Sequence, residues 1–353
     1  MSKNVHVVGT GTIGEPLIGL LTHFASDLGI GEVTFSKRTP AVTDRSKIRE
    51  LVKHGAKLAV DDATREGFKT LGFEPAYSAI EALDRADVVI DCTPSDVGLS
   101  NKQEFYLPRR RPGKGFIAQG SEFGFGKMYA RGINDAALIP GEDQFLQVVS
   151  CNTHNLAVLI QTLAIGSGKG LEDARFLCLR RSNDISQTSS FTPSPQVGKH
   201  DDPKFGTHHA RDAYHLYKTL NLDLSIFSSA VKLNTQYMHA VHFSLKLKEK
   251  ITKDEVVDLL KANDRIALTQ KTAANMVFSF GRDHGHYGRI LNVAVVVVPS
   301  LTIVNEREVV GFCFTPQDGN SLLSSVAGAA WFMDPVHYEN RIQCLKPYFF
   351  EEV

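Results

Sequence analysis

The run Gly9-Thr10-Gly11-Thr12-Ile13-Gly14 lies between an apolar segment, Asn4 to Gly9, and an apolar helical pattern, Glu15 to Leu28. A G-x-G-x-x-G that ends a strand and opens a helix leaves little freedom of fold. Its first glycine permits the tight turn, its second lets the backbone approach a pyrophosphate, and its third lets helix pack on sheet. The helix that follows offers unpaired N–H groups and the positive end of its dipole to phosphates. The motif in this context predicts a bound dinucleotide, against the alternative of a glycine turn that serves the fold alone.

The segments after it keep the same rhythm. Glu32 to Ser36, Asp87 to Cys92 and Gly115 to Gly120 are short, apolar strand patterns separated by helical stretches. Solidly apolar strands alternating with helices predict a parallel sheet covered on both faces. After about residue 150 the pattern changes. A helix over Asn155 to Ile165 precedes strand candidates Ala174 to Arg181, Val241 to Lys248, Arg265 to Leu268 and Ile290 to Val298, then a hairpin from Leu301 to Phe314. Between His239 and Lys248 apolar and polar residues alternate, as in a half-buried antiparallel strand. The 26 residues Ser182 to Thr207 are polar and rich in Pro and Gly, and loops of that length commonly carry function. A last helix spans Ser321 to Phe332. The expected fold class is α/β: an N-terminal Rossmann NAD(P)-binding domain over 1–150 and 318–353, with the C-terminal helix returning to it, plus an α+β catalytic domain over 151–317 with a mainly antiparallel sheet.

With 39 Lys+Arg against 39 Asp+Glu in 353 residues, the chain carries no net positive field, which argues against nucleic-acid or membrane-surface partners. Its longest apolar run stops at Pro299, and its N-terminus has no signal-peptide pattern, so a soluble, cytoplasmic protein is expected. The five cysteines are scattered and form no C-x-x-C, as suits a reducing compartment.

Where NAD is the ligand, the second strand of such a domain normally ends in an acid that accepts from the ribose 2′-OH. Here it ends in Ser36-Lys37-Arg38, and two cations favour the 2′-phosphate of NADP, with NAD as a second cofactor. Cys151, in Val148-Val149-Ser150-Cys151-Asn152-Thr153, stands between a strand and a helix start, with Asn152, Thr153 and Asn155 as cap types. A thiol at a helix N-terminus is expected to have a depressed pKa, as a nucleophile requires; the competing reading is an inert buried cysteine. Cys92, Cys178 and Cys313 lie inside strand patterns and read as core. Candidate bases are His239, on the apolar face of its strand, and His208-His209, which precede a helix. His284 and His286 read as a solvated loop. No metal-ligand spacing is present.

Taken together, Gly9 to Gly14, Ser36 to Pro40, Asp91 to Gly98, Gln119-Gly120-Ser121-Glu122, Val148 to Thr153, Arg180-Arg181, Thr207 to Asp212, Met238-His239 and Gln317 resemble the archaeal-type (type II) glyceraldehyde-3-phosphate dehydrogenase family along essentially the whole chain. The resemblance implies that Cys151 is the nucleophile and His239 the acid–base group. It places Ser150, Asn152, His208 and His209 at the substrate. Gly9, Gly11, Thr12, Ile13, Gly14, Lys37, Arg38, Gly120, Arg181 and Gln317 fall at the cofactor, Lys37 near the 2′-phosphate. It further implies a metal-free homotetramer acting on a phosphorylated aldehyde and inorganic phosphate. The chain departs from the family pattern at His154, at Pro94-Ser95-Asp96, in Ser186 to Pro193, and by about four extra residues between His209 and His239. Two other readings stand beside it: a related phospho-aldehyde or semialdehyde dehydrogenase, and a catalytically silent NADP-binding regulator.

Overall fold

The computed structural model describes residues 3–120, 122–184, 187–316 and 318–353. The chain forms two compact units. The first comprises Met1–Tyr129, Leu138–Val148 and Leu322–Lys346; the second comprises Ala130–Ala137, Val149–Ser321 and Pro347–Val353.

In the first unit the described strands are β1 (Lys3–Val8), β2 (Ile30–Ser36), β3 (Lys57–Val60), β4 (Tyr77–Ser78), β5 (Val88–Asp91), β6 (Gly115–Gln119), β7 (Lys127–Tyr129) and β8 (Phe145–Val148). They form one sheet in the order β4-β3-β2-β1-β5-β6-β8-β7. Every pairing is parallel, as the solid apolar strands predict. Strand order reverses at β1, which pairs with β2 on one side and β5 on the other. Ligands of open parallel sheets bind outside the carboxyl ends of the strands at such a point. The helix Gly14–His23 follows β1 and buries Leu17, Ile18, Leu20 and Leu21 completely. It is shorter than the sequence pattern suggests, because the helix breaks at Phe24 and a separate turn, Ala25–Leu28, ends on Gly29 in the left-handed region.

The long helix Gly319–Met333, near the C-terminus, buries Leu322, Leu323 and Val326. Each such burial is worth roughly 1.5–3 kcal/mol. A Cβ on Gly328 would stand 3.2 Å from Ile117 Cδ1, so the part of this helix from Leu322 onward lies close on β6 in the first unit.

In the second unit the described strands are β9 (Leu171–Arg180), β10 (Gln196–Val197), β11 (Ile226–Lys232), β12 (Ala240–Leu247), β13 (Ile266–Thr269), β14 (Ala294–Val297), β15 (Thr302–Val304) and β16 (Glu308–Phe314). Their order is β10-β11-β9-β12-β16-β14-β13, with β15 on β16. The sheet is mixed: β11 with β9 and β13 with β14 are parallel, and the other pairings are antiparallel. Along β12 buried Val241, Phe243, Leu245 and Leu247 alternate with less buried residues, as the pattern predicts.

Three local expectations are corrected. The strand expected over Ile290 to Val298 is only Ala294–Val297. Buried Asn292 donates to the carbonyls of Asp264 and Phe350 and accepts from the Phe350 N–H, which ties the preceding residues to the chain terminus instead of the sheet. Asp283 to His286 is not wholly a solvated loop: His284 closes the helix Ala274–His284, and His286 is buried with Nδ1 3.3 Å from the Tyr348 hydroxyl. The helix expected from Asn155 begins four residues earlier, at Cys151.

Candidate active site

The earlier helix start decides where the thiol stands. Ser150 has extended backbone and is the N-cap; its Oγ accepts from the Thr153 N–H at 3.3 Å. A serine cap is worth about 1 kcal/mol. Cys151 is therefore the first helical residue, where backbone N–H groups lack intrahelical acceptors. Its carbonyl accepts from Asn320 Nδ2 at 3.0 Å. His154 reaches back one turn, and its Nδ1–H donates to the Ser150 carbonyl at 3.0 Å.

Residues distant in sequence close this turn from one side. His209 belongs to the helix His208–Lys218, whose start is held by Ser228 of β11: Ser228 Oγ accepts from the Ala210 N–H at 3.1 Å. The His209 ring is buried, with Nδ1 3.2 Å from Ser150 Oγ and Nε2 3.4 Å from Asn152 Nδ2. An amide nitrogen only donates, so Nε2 accepts and Nδ1 carries the proton that goes to Ser150. Asn152 Oδ1 in turn accepts from the Thr315 hydroxyl at 3.1 Å. Ser150, Asn152 and His209 thus form one hydrogen-bonded frame around the Cys151 turn. His208, next to it, is exposed.

His239 immediately precedes β12. The Thr315 N–H donates to its carbonyl at 2.9 Å, and the ring is buried with no hydrogen-bond partner for Nδ1 among the described residues. Ala240 pairs with Leu179, so the end of β9 brings Arg180 alongside. Arg181 is buried and pairs with Asp184 and, at 3.7 Å, with Asp318. Arg180 is half-buried and has no ion pair or side-chain hydrogen bond among the described residues.

The electrostatics follow from this crowding. Burial raises the Cys151 thiol to about 11; Arg181 and Arg180 pull it down, while Asp318 and Asp184 oppose them. The depressed pKa expected of the helix-start position is therefore not what the protein shows, because desolvation outweighs the pull of the two arginines, which Asp318 and Asp184 oppose. Burial, followed by Arg181 and Arg180, holds His239 well below the ordinary histidine range. His209 is held neutral by burial, then by His208, Arg180 and His239. His208 is lowered by the loss of water at its inner side and by Arg180 and Arg211. The cluster is a neutral thiol and three neutral imidazoles in a positive field, a setting that an anion would complement. Cys178 and Cys313 are buried core residues, as expected. Among the described residues, no group of three or more His, Cys, Asp or Glu is placed to hold a metal ion.

The predicted cofactor residues Gly9, Gly11, Thr12, Ile13, Gly14, Lys37, Arg38 and Gly120 lie in the first unit. Gly9 has φ +94°, and a Cβ there would stand 3.1 Å from the Cys92 carbonyl oxygen at the end of β5. A Cβ on Gly14 would come within 2.2 Å of the Gly9 oxygen. Gly11 is different: beyond the residue itself and its two chain neighbours, no atom of the described residues lies within 4 Å of where its Cβ would be. No side chain caps the helix that starts at Gly14. Two crowded glycines and one facing open space, before an uncapped helix, fit a pyrophosphate. Gly120 follows the end of β6, with its N–H on the Val148 carbonyl at 2.8 Å. Lys37 is paired with Asp44, and Arg38 is exposed. Arg181 lies in the second unit, at the thiol cluster. Gln317 lies outside the described residues, as does Ser121 of the family motif.

No family model matches the chain. Among curated proteins it is similar to the glyceraldehyde-3-phosphate dehydrogenases of Methanobacterium bryantii (27% identical over 317 residues, 86% of each chain) and Methanothermus fervidus (27% over 319 residues, 86% of each). It is also similar to that of Pyrobaculum neutrophilum (26% over 294 residues, 80% of this chain and 78% of the other). The resemblance to the archaeal-type family is borne out. The contact residues that sequence reasoning did not single out are Asp318, Asn320, Thr315 and Asp44. None carries a local motif; each becomes visible only through its partner.

Proposed function

We propose that the protein is a phosphorylating glyceraldehyde-3-phosphate dehydrogenase, which oxidises D-glyceraldehyde 3-phosphate with NAD(P)⁺ and inorganic phosphate to 1,3-bisphosphoglycerate. The observation that carries this reading is the Cys151 turn, framed by Ser150, Asn152 and His209 and set in the field of Arg180 and Arg181. In this reading Cys151 is the nucleophile and buried, neutral His239 is the base. His239 takes the thiol proton as sulfur bonds to the aldehyde carbon and returns it to the oxygen, giving a thiohemiacetal. A nicotinamide cofactor held at the Gly9–Gly14 turn would supply the acceptor for the hydride of that carbon. His239 removes the hydroxyl proton, and Cys151 is left carrying a thioester. Phosphate attacks the carbonyl carbon and its proton passes to solvent; the C–S bond breaks, the acyl phosphate leaves, and His239 returns its proton to the Cys151 sulfur, restoring the thiol and the neutral imidazole.

Two anions must approach this chemistry, the substrate's phosphate and the inorganic one. Arg180, with no side-chain partner among the described residues, and exposed His208 are the groups assigned to anion binding, with Ser150 and Asn152 orienting the aldehyde. Burial, then Arg181 and Arg180, lower His239 in the free protein; a bound phosphate would offset the part due to the arginines and let His239 hold a proton when it must. The cofactor residues are those of the Gly9–Gly14 turn with Lys37, NADP being preferred and NAD also used. The family resemblance supports a cytoplasmic homotetramer.

The test is reduction of NADP⁺ or NAD⁺ by the purified full chain with glyceraldehyde 3-phosphate. Dependence on phosphate or arsenate is the expected result. Activity with aspartate or acetylglutamate semialdehyde in place of glyceraldehyde 3-phosphate would replace the substrate. Absence of turnover with all three would favour the silent NADP-binding reading.

A further inference from the structure

Strand β2 ends at Ser36 and is followed by two cations, so it lacks the acid that accepts from an NAD ribose 2′-OH. The fold supplies an acid at that place from further along the chain. Asp44 closes the 3-10 turn Val42–Asp44 and occupies the N-cap position of the helix Arg45–Lys53. An aspartate there ordinarily accepts from an N–H of the first turn. Asp44 makes no such bond.

Its carboxylate turns instead to two lysines. Asp44 Oδ2 lies 2.7 Å from Lys37 Nζ, and Oδ1 lies 3.4 Å from Lys47 Nζ. Lys47 Nζ also donates to the carbonyl of Thr10, inside the glycine turn, at 3.2 Å, and lies 3.6 Å from Glu15. The Asp44, Lys37 and Lys47 side chains are 20%, 22% and 25% exposed, so this contact is not a freely solvated surface pair. The group spans the distance from the phosphate-binding turn to the end of β2. It holds two cations already arranged around one anionic side chain.

We propose that Asp44 selects the cofactor. With NAD, its carboxylate accepts from the ribose 2′-OH, doing from a neighbouring helix what the end of β2 does not. With NADP, the 2′-phosphate takes the place of Asp44 between Lys37 and Lys47. The two lysines bind the phosphate only after releasing the carboxylate, which weakens NADP and leaves NAD competitive. Dual use of the cofactors then follows from one side chain. This rests on the dinucleotide reading of Gly9 to Gly14.

The test is fluorescence titration of the full-length protein with NADPH and with NADH, on wild type and on Asp44→Asn, Asp44→Glu and Lys47→Gln, with thermal melts to establish folding. Asp44→Asn is expected to raise the NADPH-to-NADH affinity ratio by about tenfold or more, since charge-assisted contacts are freed for the phosphate. Asp44→Glu should return the ratio towards wild type, and Lys47→Gln should lower it, which decides the matter if Asp44→Asn fails to fold. If wild type and Asp44→Asn bind both cofactors with the same ratio within twofold, Asp44 does not select. If wild type binds neither cofactor, the dinucleotide reading itself falls, and Asp44 with it.

Discussion

His209 donates through Nδ1 to the side-chain oxygen of Ser150 at 3.2 Å, across 59 residues of sequence. That oxygen is also the cap of the helix that carries Cys151. The second of the paired histidines is therefore tied into the thiol's own turn, with its other nitrogen on Asn152, and exposed His208 is the one turned outward.

This tie separates the two histidines experimentally. His209→Asn should lose the bond to Ser150 and leave buried groups unpaired, lowering unfolding stability by about 1–3 kcal/mol. Its kcat should fall with it. His208→Asn should leave the urea midpoint in place and raise KM. Equal loss of stability in both variants would contradict the arrangement.

The thiol at about 11 sets the pH dependence of alkylation. Only the thiolate reacts, and a raised pKa makes it scarce near neutrality, so the iodoacetamide rate at Cys151 should climb about tenfold per pH unit from 7 to well past 9. Phosphate should slow the reaction if it occupies the Arg180 side. A plateau below pH 8.5 would show that the helix start and the arginines outweigh burial. Cys151→Ser should remove turnover while cofactor affinity changes no more than a few-fold.

A general base with an ordinary imidazole shows its protonation between about pH 6 and 8. Burial and the two arginines lower the pKa of His239, so the acid limb of kcat/KM should lie below pH 6 instead. His239→Asn should cut kcat by roughly 10²–10⁴ and abolish that limb. A limb that persists in His239→Asn belongs to another group.

Buried histidines also couple folding to pH. His6 and His154 are lowered to about 3 and about 4 by burial. Unfolded, each takes up a proton near 6.5, so the unfolded chain binds more protons in the window between. Their stabilisation is complete above pH 6.5 and is lost as pH falls towards 4 and 3, with a slope of up to about 1.4 kcal/mol per pH unit for each. Urea midpoints from pH 7 to 4.5 would measure it, and His154→Asn should shallow the slope.

The glycine turn can be divided in the same way. Gly11→Ala places a methyl in open space, so the protein should melt as wild type does but bind NADPH at least tenfold more weakly. Gly14→Ala must displace the Gly9 carbonyl 2.2 Å away and should lower the melting temperature. Unchanged NADPH affinity in Gly11→Ala would remove the pyrophosphate from this turn.

Periodicity and glycine spacing were enough to read the parallel sheet, its phosphate-type turn and the alternation of β12, because these depend on neighbours a few residues apart. The motifs around Cys151 and His239 identified the residues of the cluster for the same reason. The helix start was misplaced by four residues, since Asn155 is as good a cap type as Ser150 and only the packing of His209 and Thr153 against Ser150 chooses between them. Helix position alone likewise gave the wrong sign for the thiol pKa: desolvation is a property of the surrounding protein, and Asp318 and Asp184 reach Arg181 only in the folded chain. The acid missing from the end of β2 was invisible for a related reason. Asp44 follows Lys37 by seven residues with nothing local to mark it, and the fold alone turns its carboxylate from the helix it begins to the lysines beside the glycine turn.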